Sequence, residues 1–163
     1  MTAIPGPCSL IEALVLSGFE AEKFQFIGFL PKQPTKVLKE ALFYPGVTIA
    51  FESPERLTKT LAALEKLSPE RLIAVAREMT KTFEECRRGV AKDLLSHFTA
   101  KPPKGEIVLV IASGEPPEVP LDLEECVHLL KSVHGLSLKE AIKTAARLLK
   151  VAKSAVYKKM HGL

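Results

Sequence analysis

Five apolar residues in succession, Ile107-Val108-Leu109-Val110-Ile111, constrain this chain more than any other stretch. Successive side chains of a strand point to opposite faces, so an uninterrupted apolar run needs apolar cover on both. Such a strand, spanning Glu106 to Ala112 with its flanks, belongs in the middle of a sheet. Burying the five side chains contributes roughly 1.5–3 kcal/mol each before conformational entropy is subtracted. Three further runs have strand length and composition: Phe24 to Leu30, Val47 to Glu52 and Leu72 to Ala76. Around them lie helical patterns, Ser9 to Leu16, Thr35 to Phe43, Pro54 to Leu67 and Val90 to Phe98. The alternation predicts an α/β sandwich, a sheet covered by helices, over residues 1–114.

The stretch Ser113-Gly114-Glu115-Pro116-Pro117-Glu118-Val119-Pro120 cannot continue a central strand, because proline lacks an N–H donor and restricts its predecessor. Residues 115–120 are therefore expected to be a linker, and 121–163 a small helical appendage. Helical patterns there run from Leu121 to Val133, Ser137 to Leu149 and Lys153 to Met160. Ser137 and Glu140 have capping-box spacing, and Leu138, Ala141, Ile142, Ala145, Leu148 and Leu149 form one apolar face. The last two helices, joined by a short turn at Val151-Ala152, fit a helix-turn-helix.

Charge is unevenly distributed. Gly105 to Cys126 holds six acidic residues and no Lys or Arg, whereas Leu136 to Leu163 holds seven basic residues against Glu140 alone. A basic terminus of this kind suits a polyanion. The longest apolar run is far shorter than the ~20 residues of a membrane span, and Met1 to Pro5 lacks a signal-peptide layout. Cys8, Cys86 and Cys126 are odd in number and form no C-x-x-C pair, as expected of reduced thiols used for packing. The expected compartment is the cytoplasm. Phosphate-loop, dinucleotide-loop, metal-pair and serine-nucleophile motifs are absent, and the histidines show no ligand spacing, so no metal is expected.

Four local patterns carry chemistry. Ile4-Pro5-Gly6-Pro7-Cys8-Ser9 is a rigid turn into a helix whose first amides face outward, free for a polar ligand. In Phe51-Glu52-Ser53-Pro54-Glu55-Arg56-Leu57 a strand ends and a helix starts; capping explains Ser53, Pro54 and Glu55 but not Glu52 and Arg56. These two sit at the carboxyl edge of a strand, where α/β folds place ligands. Ala76-Arg77-Glu78-Met79-Thr80-Lys81 repeats the arrangement. Glu84-Glu85-Cys86-Arg87-Arg88-Gly89 then follows as a cluster of alternating charge whose density stability alone does not explain, since exposed ion pairs contribute ~0–1 kcal/mol.

Taken in order, these stretches, with Phe26-Ile27-Gly28-Phe29-Leu30-Pro31 and Lys104-Gly105-Glu106-Ile107-Val108-Leu109-Val110, resemble the tetrapyrrole-methylase superfamily. Within it they are similar to the bacterial (cytidine-2′-O)-methyltransferases of small-subunit ribosomal RNA. Leu136-Ser137-Leu138-Lys139-Glu140-Ala141 resembles the helical appendage of that family, so the likeness spans essentially the whole chain. The resemblance implies S-adenosyl-L-methionine as cofactor, ribosomal RNA as substrate and a homodimer. It places cofactor contacts at Cys8, Ser9, Phe51, Glu52, Ala76 and Arg77; the reaction also needs a group to take the hydroxyl proton, for which Glu52 and Glu78 are the candidates. RNA contacts are expected from Arg56, Arg77, Lys81, Arg87, Arg88, Lys153, Lys158 and Lys159. The chain departs from the family by lacking its glycine-rich N-terminal domain, by Cys8-Ser9 where relatives carry Ser-Ala, and by Ala152 where proline is common. It reads as the C-terminal half of such an enzyme, inactive by itself. Two alternatives remain: a small-molecule tetrapyrrole methylase, which needs no basic terminus, and a non-catalytic nucleic-acid-binding module.

Overall fold

The computed structural model describes residues 2–115, 122–149 and 151–160. The elements in chain order are α1 (Ser9–Ser17), β1 (Phe24–Phe29), α2 (Thr35–Phe43), β2 (Val47–Glu52), α3 (Pro54–Leu67), β3 (Leu72–Arg77), β4 (Glu85–Val90), α4 (Ala91–Ala100), β5 (Ile107–Ile111), α5 (Leu123–Ser132), α6 (Leu138–Leu148) and α7 (Lys153–Met160). They form two compact units, residues 1–117 and 118–163. The linker expected at 115–120 lies outside the described residues from position 116 onward.

In the first unit the strand order is β1-β2-β5-β3-β4, with β1 parallel to β2 and every other pairing antiparallel. β5 is the central strand, and all five of its residues are buried. Its side chains alternate between two cores as period-2 geometry requires. Ile107, Leu109 and Ile111 join Leu38, Leu42, Leu57, Leu61, Leu64 and Phe98 under α2, α3 and α4. Val108 and Val110 join Val47, Ile49, Ala74 and Ala76 on the opposite face, against Ala13 of α1. Among the described residues of this unit α1 is the helix on that second face, and β1 has exposed rings, with Phe24 and Phe26 more than 40% exposed and Phe29 at 70%.

β1 is also irregular. Phe26 lies opposite Ile49 and Phe29 opposite Phe51, so three steps along β1 match two along β2. That is a β-bulge, and Gly28 supplies its left-handed conformation with φ +72°.

The charged cluster Glu84–Gly89 proves to be mostly strand. β4 pairs residue by residue with β3, from Leu72 opposite Val90 to Arg77 opposite Glu85. Edge strands are paired on one side only and tolerate charge, which discourages pairing with another chain, so apolar periodicity could not reveal this one. Arg71, the residue before β3, is 6% exposed and carries no carboxylate partner among the described residues. Its guanidinium instead donates to the carbonyls of Leu42 (3.4 Å), Ala112 (3.0 Å) and Glu115 (2.5 Å), tying the end of α2 to the segment that leaves β5. Burial lowers its pKa from the ordinary arginine value.

The described residues of the second unit form three packed helices. Cys126, Val127 and Leu130 of α5 pack with Ala141, Ile142, Ala145 and Ala146 of α6 and with Val156 of α7. The capping box is present: the Glu140 amide donates to Ser137 Oγ and the Ser137 amide to Glu140 Oε2. Of the three thiols, only Cys126 is a fully buried packing group, whereas Cys8 is exposed.

Candidate ligand cavity at the strand ends

The carboxyl ends of β2 and β3 and the amino end of β5 meet at one edge of the sheet, because β5 runs antiparallel to both. A cavity of about 520 Å³ opens there on the α1 side, within the size range of small-molecule sites. Pro7, Ser9 and Glu12 line it from the turn into α1, and Phe29 from the end of β1. Phe51, Glu52, Ser53 and Pro54 contribute from the β2–α3 junction, Met79, Thr80 and Lys81 from the β3–β4 turn, and Gly105 to Val108 from the start of β5. The walls are largely apolar, and polar groups gather at the rim. No side chain caps the first amides of α1.

The β3–β4 turn is strained. Glu78 and Thr80 hold φ of +49° and +64°, left-handed values that cost a residue other than glycine on the order of 1–3 kcal/mol each. Hydrogen bonds over-determine the turn. Glu78 and Glu106 pair backbone to backbone at 3.1 Å, the Glu106 amide also donates to Glu78 Oε1 at 3.1 Å, and the Thr80 amide donates to Glu84 Oε2 at 2.6 Å. Lys81 Nζ sits between Glu78 Oε1 (3.0 Å) and Glu106 Oε2 (3.1 Å). Its hydrogen bonds to Glu78 and then Glu106 raise the Lys81 pKa, while Lys81 and the Glu106 amide hold the Glu78 carboxyl below its usual range. Gly105, at φ +84°, packs so closely on this clasp that an added Cβ would enter the Glu78 carboxylate.

Glu52 faces away from α1, into the α3 side of the sheet, and is 2% exposed. Its Oε1 accepts from the Ser53 amide (2.7 Å) and meets Arg56 Nη2 (2.9 Å), while Oε2 accepts from the Thr60 hydroxyl (2.5 Å). The carboxylate thus anchors the start of α3, and the residue borders the cavity at the strand end.

The structure brings Ser9, Phe51, Glu52 and Lys81 together around the cavity. Cys8 lines a neighbouring groove with Gly6, Ile11 and Val15. Ala76 is buried in the α1-side core. Arg77 Nε and Arg87 Nε each bond Glu85 at 2.6 Å; burial pushes the Glu85 carboxyl up, but the two guanidiniums outweigh it and the net shift is downward. Arg88 reaches the Ser17 carbonyl at 3.4 Å, on the opposite face of β4 from Arg87. The basic cluster expected at 77–88 is therefore split between two faces and two kinds of partner. In the second unit Lys159 Nζ bonds Asp122 Oδ1 at 2.5 Å, whereas Lys153 and Lys158 are exposed. Phe29, Met79, Glu12 and Glu106 line the cavity without having been singled out in the sequence. Ser9 and Glu12 are three residues apart on one helix, a spacing that could have found the latter.

No helix among the described residues is long and apolar enough to cross a membrane, and among them no His, Cys, Asp or Glu group could hold a metal ion. No protein-family model matches the chain. It is 42% identical over 147 residues to a protein of Erythrobacter litoralis, covering 88% of this chain and 49% of that protein. A Mesorhizobium japonicum protein is 39% identical over 163 residues, covering 96% and 55% respectively. A Streptococcus pyogenes serotype M1 protein is 32% identical over 171 residues, covering 100% and 59%. All three are named ribosomal RNA small subunit methyltransferase I. The chain therefore spans about half the length of the curated relatives it matches. Among solved structures, cobalt precorrin-4 methyltransferase, a cobalamin biosynthetic enzyme, superposes with TM-score 0.50 at 16% identity, over 66% of this chain and 50% of that one. The first unit thus has the fold of the tetrapyrrole methylases, and by sequence the chain is related to proteins named ribosomal RNA small subunit methyltransferase I.

Proposed function

We propose that this chain is one half of an S-adenosyl-L-methionine-dependent methyltransferase acting on a ribose 2′-hydroxyl of a cytidine in small-subunit ribosomal RNA. The observation that carries the proposal is the cavity at the strand ends, built by the same stretches that carry the family resemblance, in a chain 32–42% identical to named ribosomal RNA methyltransferases. The residues fit the cofactor. Phe51, Met79 and Val108 give the apolar slot an adenine ring needs, and Glu12 and Glu106 bring carboxylates suited to a sulfonium. Ser9 and the uncapped amides of α1 offer hydrogen bonds to its polar end. When bound, S-adenosyl-L-methionine supplies an electrophilic methyl group. The protein contributes alignment, which can supply several kcal/mol.

The two candidate proton acceptors then take different roles. Glu52, buried and engaged by Arg56 and Thr60, is a positioning residue that fixes the β2–α3 junction. Glu78, with its carboxyl held anionic beside Lys81, accepts hydrogen bonds and orients the β3–β4 turn. Lys81, Arg56, Arg87 and Arg88 are assigned to RNA contact, Arg87 and Arg88 from opposite faces of β4, and Lys153 and Lys158 to the same polyanion in the second unit. Arg77 is engaged mainly by Glu85. We assign residues 1–114 to the α/β domain, 115–120 to a linker and 121–163 to the appendage, which the division into two units near that point supports. A homodimer is part of the proposal, supported by the exposed Phe24 at the start of β1, and a ribosomal substrate implies the cytoplasm.

Two measurements test this reading. Calorimetric titration of the chain with S-adenosyl-L-methionine should show binding weaker than micromolar, because one wall of the site belongs to the other half. Joining that half from the Erythrobacter litoralis relative should restore label transfer to small-subunit ribosomal RNA, with the product resistant to alkaline cleavage at one cytidine. Label on a base instead of a ribose would refute the 2′-hydroxyl assignment.

A further inference from the structure

An exposed aromatic ring at the mouth of a ligand cavity needs a reason. Phe29 is 70% exposed and lines the cavity rim. Strand geometry alone would turn it away from Phe26, three positions earlier, because side chains alternate. The bulge at Gly28 cancels that alternation and puts both rings on the face of Phe51. The Phe51 ring then lies 4.9 Å from Phe26 and 5.1 Å from Phe29, so the outermost ring is braced by a row of two others. A bulge beside a site that re-aims one side chain is a purposeful feature of a sheet.

Exposed cations lie just past the end of β1. Lys32 is three residues beyond Phe29, within about 10 Å along the chain at full extension. Lys59 Nζ donates to the Lys32 carbonyl at 3.4 Å, which brings a second exposed ammonium to the same corner. Arg56 lies one turn before Lys59 on α3. An aromatic platform flanked by exposed cations is the arrangement that holds single-stranded nucleic acid, the base on the ring and the phosphates on the ammonium groups.

We infer that Phe29 is a stacking platform for a nucleobase of the RNA substrate, with Lys32 and Lys59 holding the flanking phosphates. The inference rests on the RNA substrate proposed above and adds a specific contact to it. The exposed position at the rim, with cations past the strand end, suits a base of a polyanion; a cofactor adenine would sit deeper, between Phe51, Met79 and Val108.

The chain has no tryptophan, so Phe29→Trp installs a single reporter on the platform. The probes are a short fluorescein-labelled single-stranded RNA, its abasic counterpart, and S-adenosyl-L-methionine. Phe29→Leu keeps the apolar bulk and removes the ring; it should weaken binding of the natural strand roughly 5- to 100-fold and leave the abasic strand unchanged. Phe29→Trp should retain affinity, with its fluorescence quenched by the natural strand only. Neutralising Lys32 and Lys59 should flatten the salt dependence by about 0.7 in log–log slope for each phosphate no longer neutralised. Natural-strand affinity unchanged in Phe29→Leu would overturn the inference. So would a loss confined to S-adenosyl-L-methionine binding, which would make the stacked ring the cofactor's adenine. Wild-type chain that binds neither strand would sink the RNA reading itself, a result distinct from both.

Discussion

Thr60 donates its hydroxyl to Glu52 Oε2 at 2.5 Å, two turns of α3 beyond the strand end that carries Glu52. With Arg56 on the other oxygen, the pair satisfies a carboxylate that is 2% exposed. Thr60→Val keeps the shape and removes the donor, leaving one oxygen buried and short of a partner. The expected loss is about 1–3 kcal/mol in urea denaturation, with Thr60→Ser recovering most of it. An unchanged midpoint would mean that water replaces the hydroxyl.

Gly105→Ala should damage the cavity mouth. The substitution strains a residue at φ +84° and pushes its Cβ into the Glu78 carboxylate. Stability should fall by about 1–3 kcal/mol. Releasing the Lys81 clasp should also bring the Lys81 pKa back down toward its ordinary value, since Glu78 and Glu106 are what raise it. Acetylation of Lys81 by acetic anhydride, followed by mass spectrometry, should accordingly be faster in the variant.

Arg71→Met leaves the carbonyls of Leu42, Ala112 and Glu115 without their donor. Charge-assisted hydrogen bonds contribute about 1.5–3 kcal/mol each, and their removal should cost more than one such bond but less than three, because the bond to Leu42 is long. Hydrogen exchange should rise in residues 112–115, while Leu109 and Val110, paired on both sides, should stay protected.

Asp122 and Lys159 give the second unit a pH response. Lys159 and the Leu123 amide hold the Asp122 carboxyl below its ordinary value. A depressed carboxylate pKa means that the contribution is present above the unfolded aspartate value and is lost as pH falls through the lower, folded one. Amide resonances of α5 and α7 should therefore weaken in the acid limb in wild type. Asp122→Asn should show the weakened state already at neutral pH and no further change of this kind on acidification.

The same ion pair bears on RNA affinity. With Lys159 held by Asp122, Lys153→Gln with Lys158→Gln should flatten the slope of log affinity against log salt by about two phosphates' worth, near 0.7 each for single strands. Adding Lys159→Gln should change it little. Fluorescence anisotropy at several salt concentrations checks this, and a further flattening of the same size as for either other lysine would show that the pair opens on binding.

The α/β alternation was readable because β5 and the amphipathic helices advertise their burial by period, and Ser137-x-x-Glu140 announced its helix start by chemistry. β4 was not readable: Glu85, Arg87 and Arg88 occupy an edge, where pairing depends on the neighbour's backbone instead of on apolar pattern. The site was half legible. Phe51, Glu52 and Lys81 follow from strand ends, a position in the chain, whereas the direction each carboxylate points depends on register. Glu52 turned inward to Thr60, and Arg77 and Arg87 turned to Glu85, because β2, β3 and β4 set those side chains on the α3 and α4 face. Phe29 was hidden by the bulge, which breaks the alternation that sequence reading relies on.

That bulge also lets β1 lose one residue at one place without losing its pattern. Remove Gly28, and Phe26-Ile27-Phe29 matches Ile49-Ala50-Phe51 one for one, so Phe29 and Leu30 keep their faces. β2 has no such slack: remove Ala50, and Val47 and Ile49, both fully buried, swap faces relative to Phe51. A deletion scan should therefore find the loss of Gly28 far milder than the loss of Ala50, and homologous chains should vary by one residue between Phe26 and Leu30 while keeping the spacing from Val47 to Glu52 fixed.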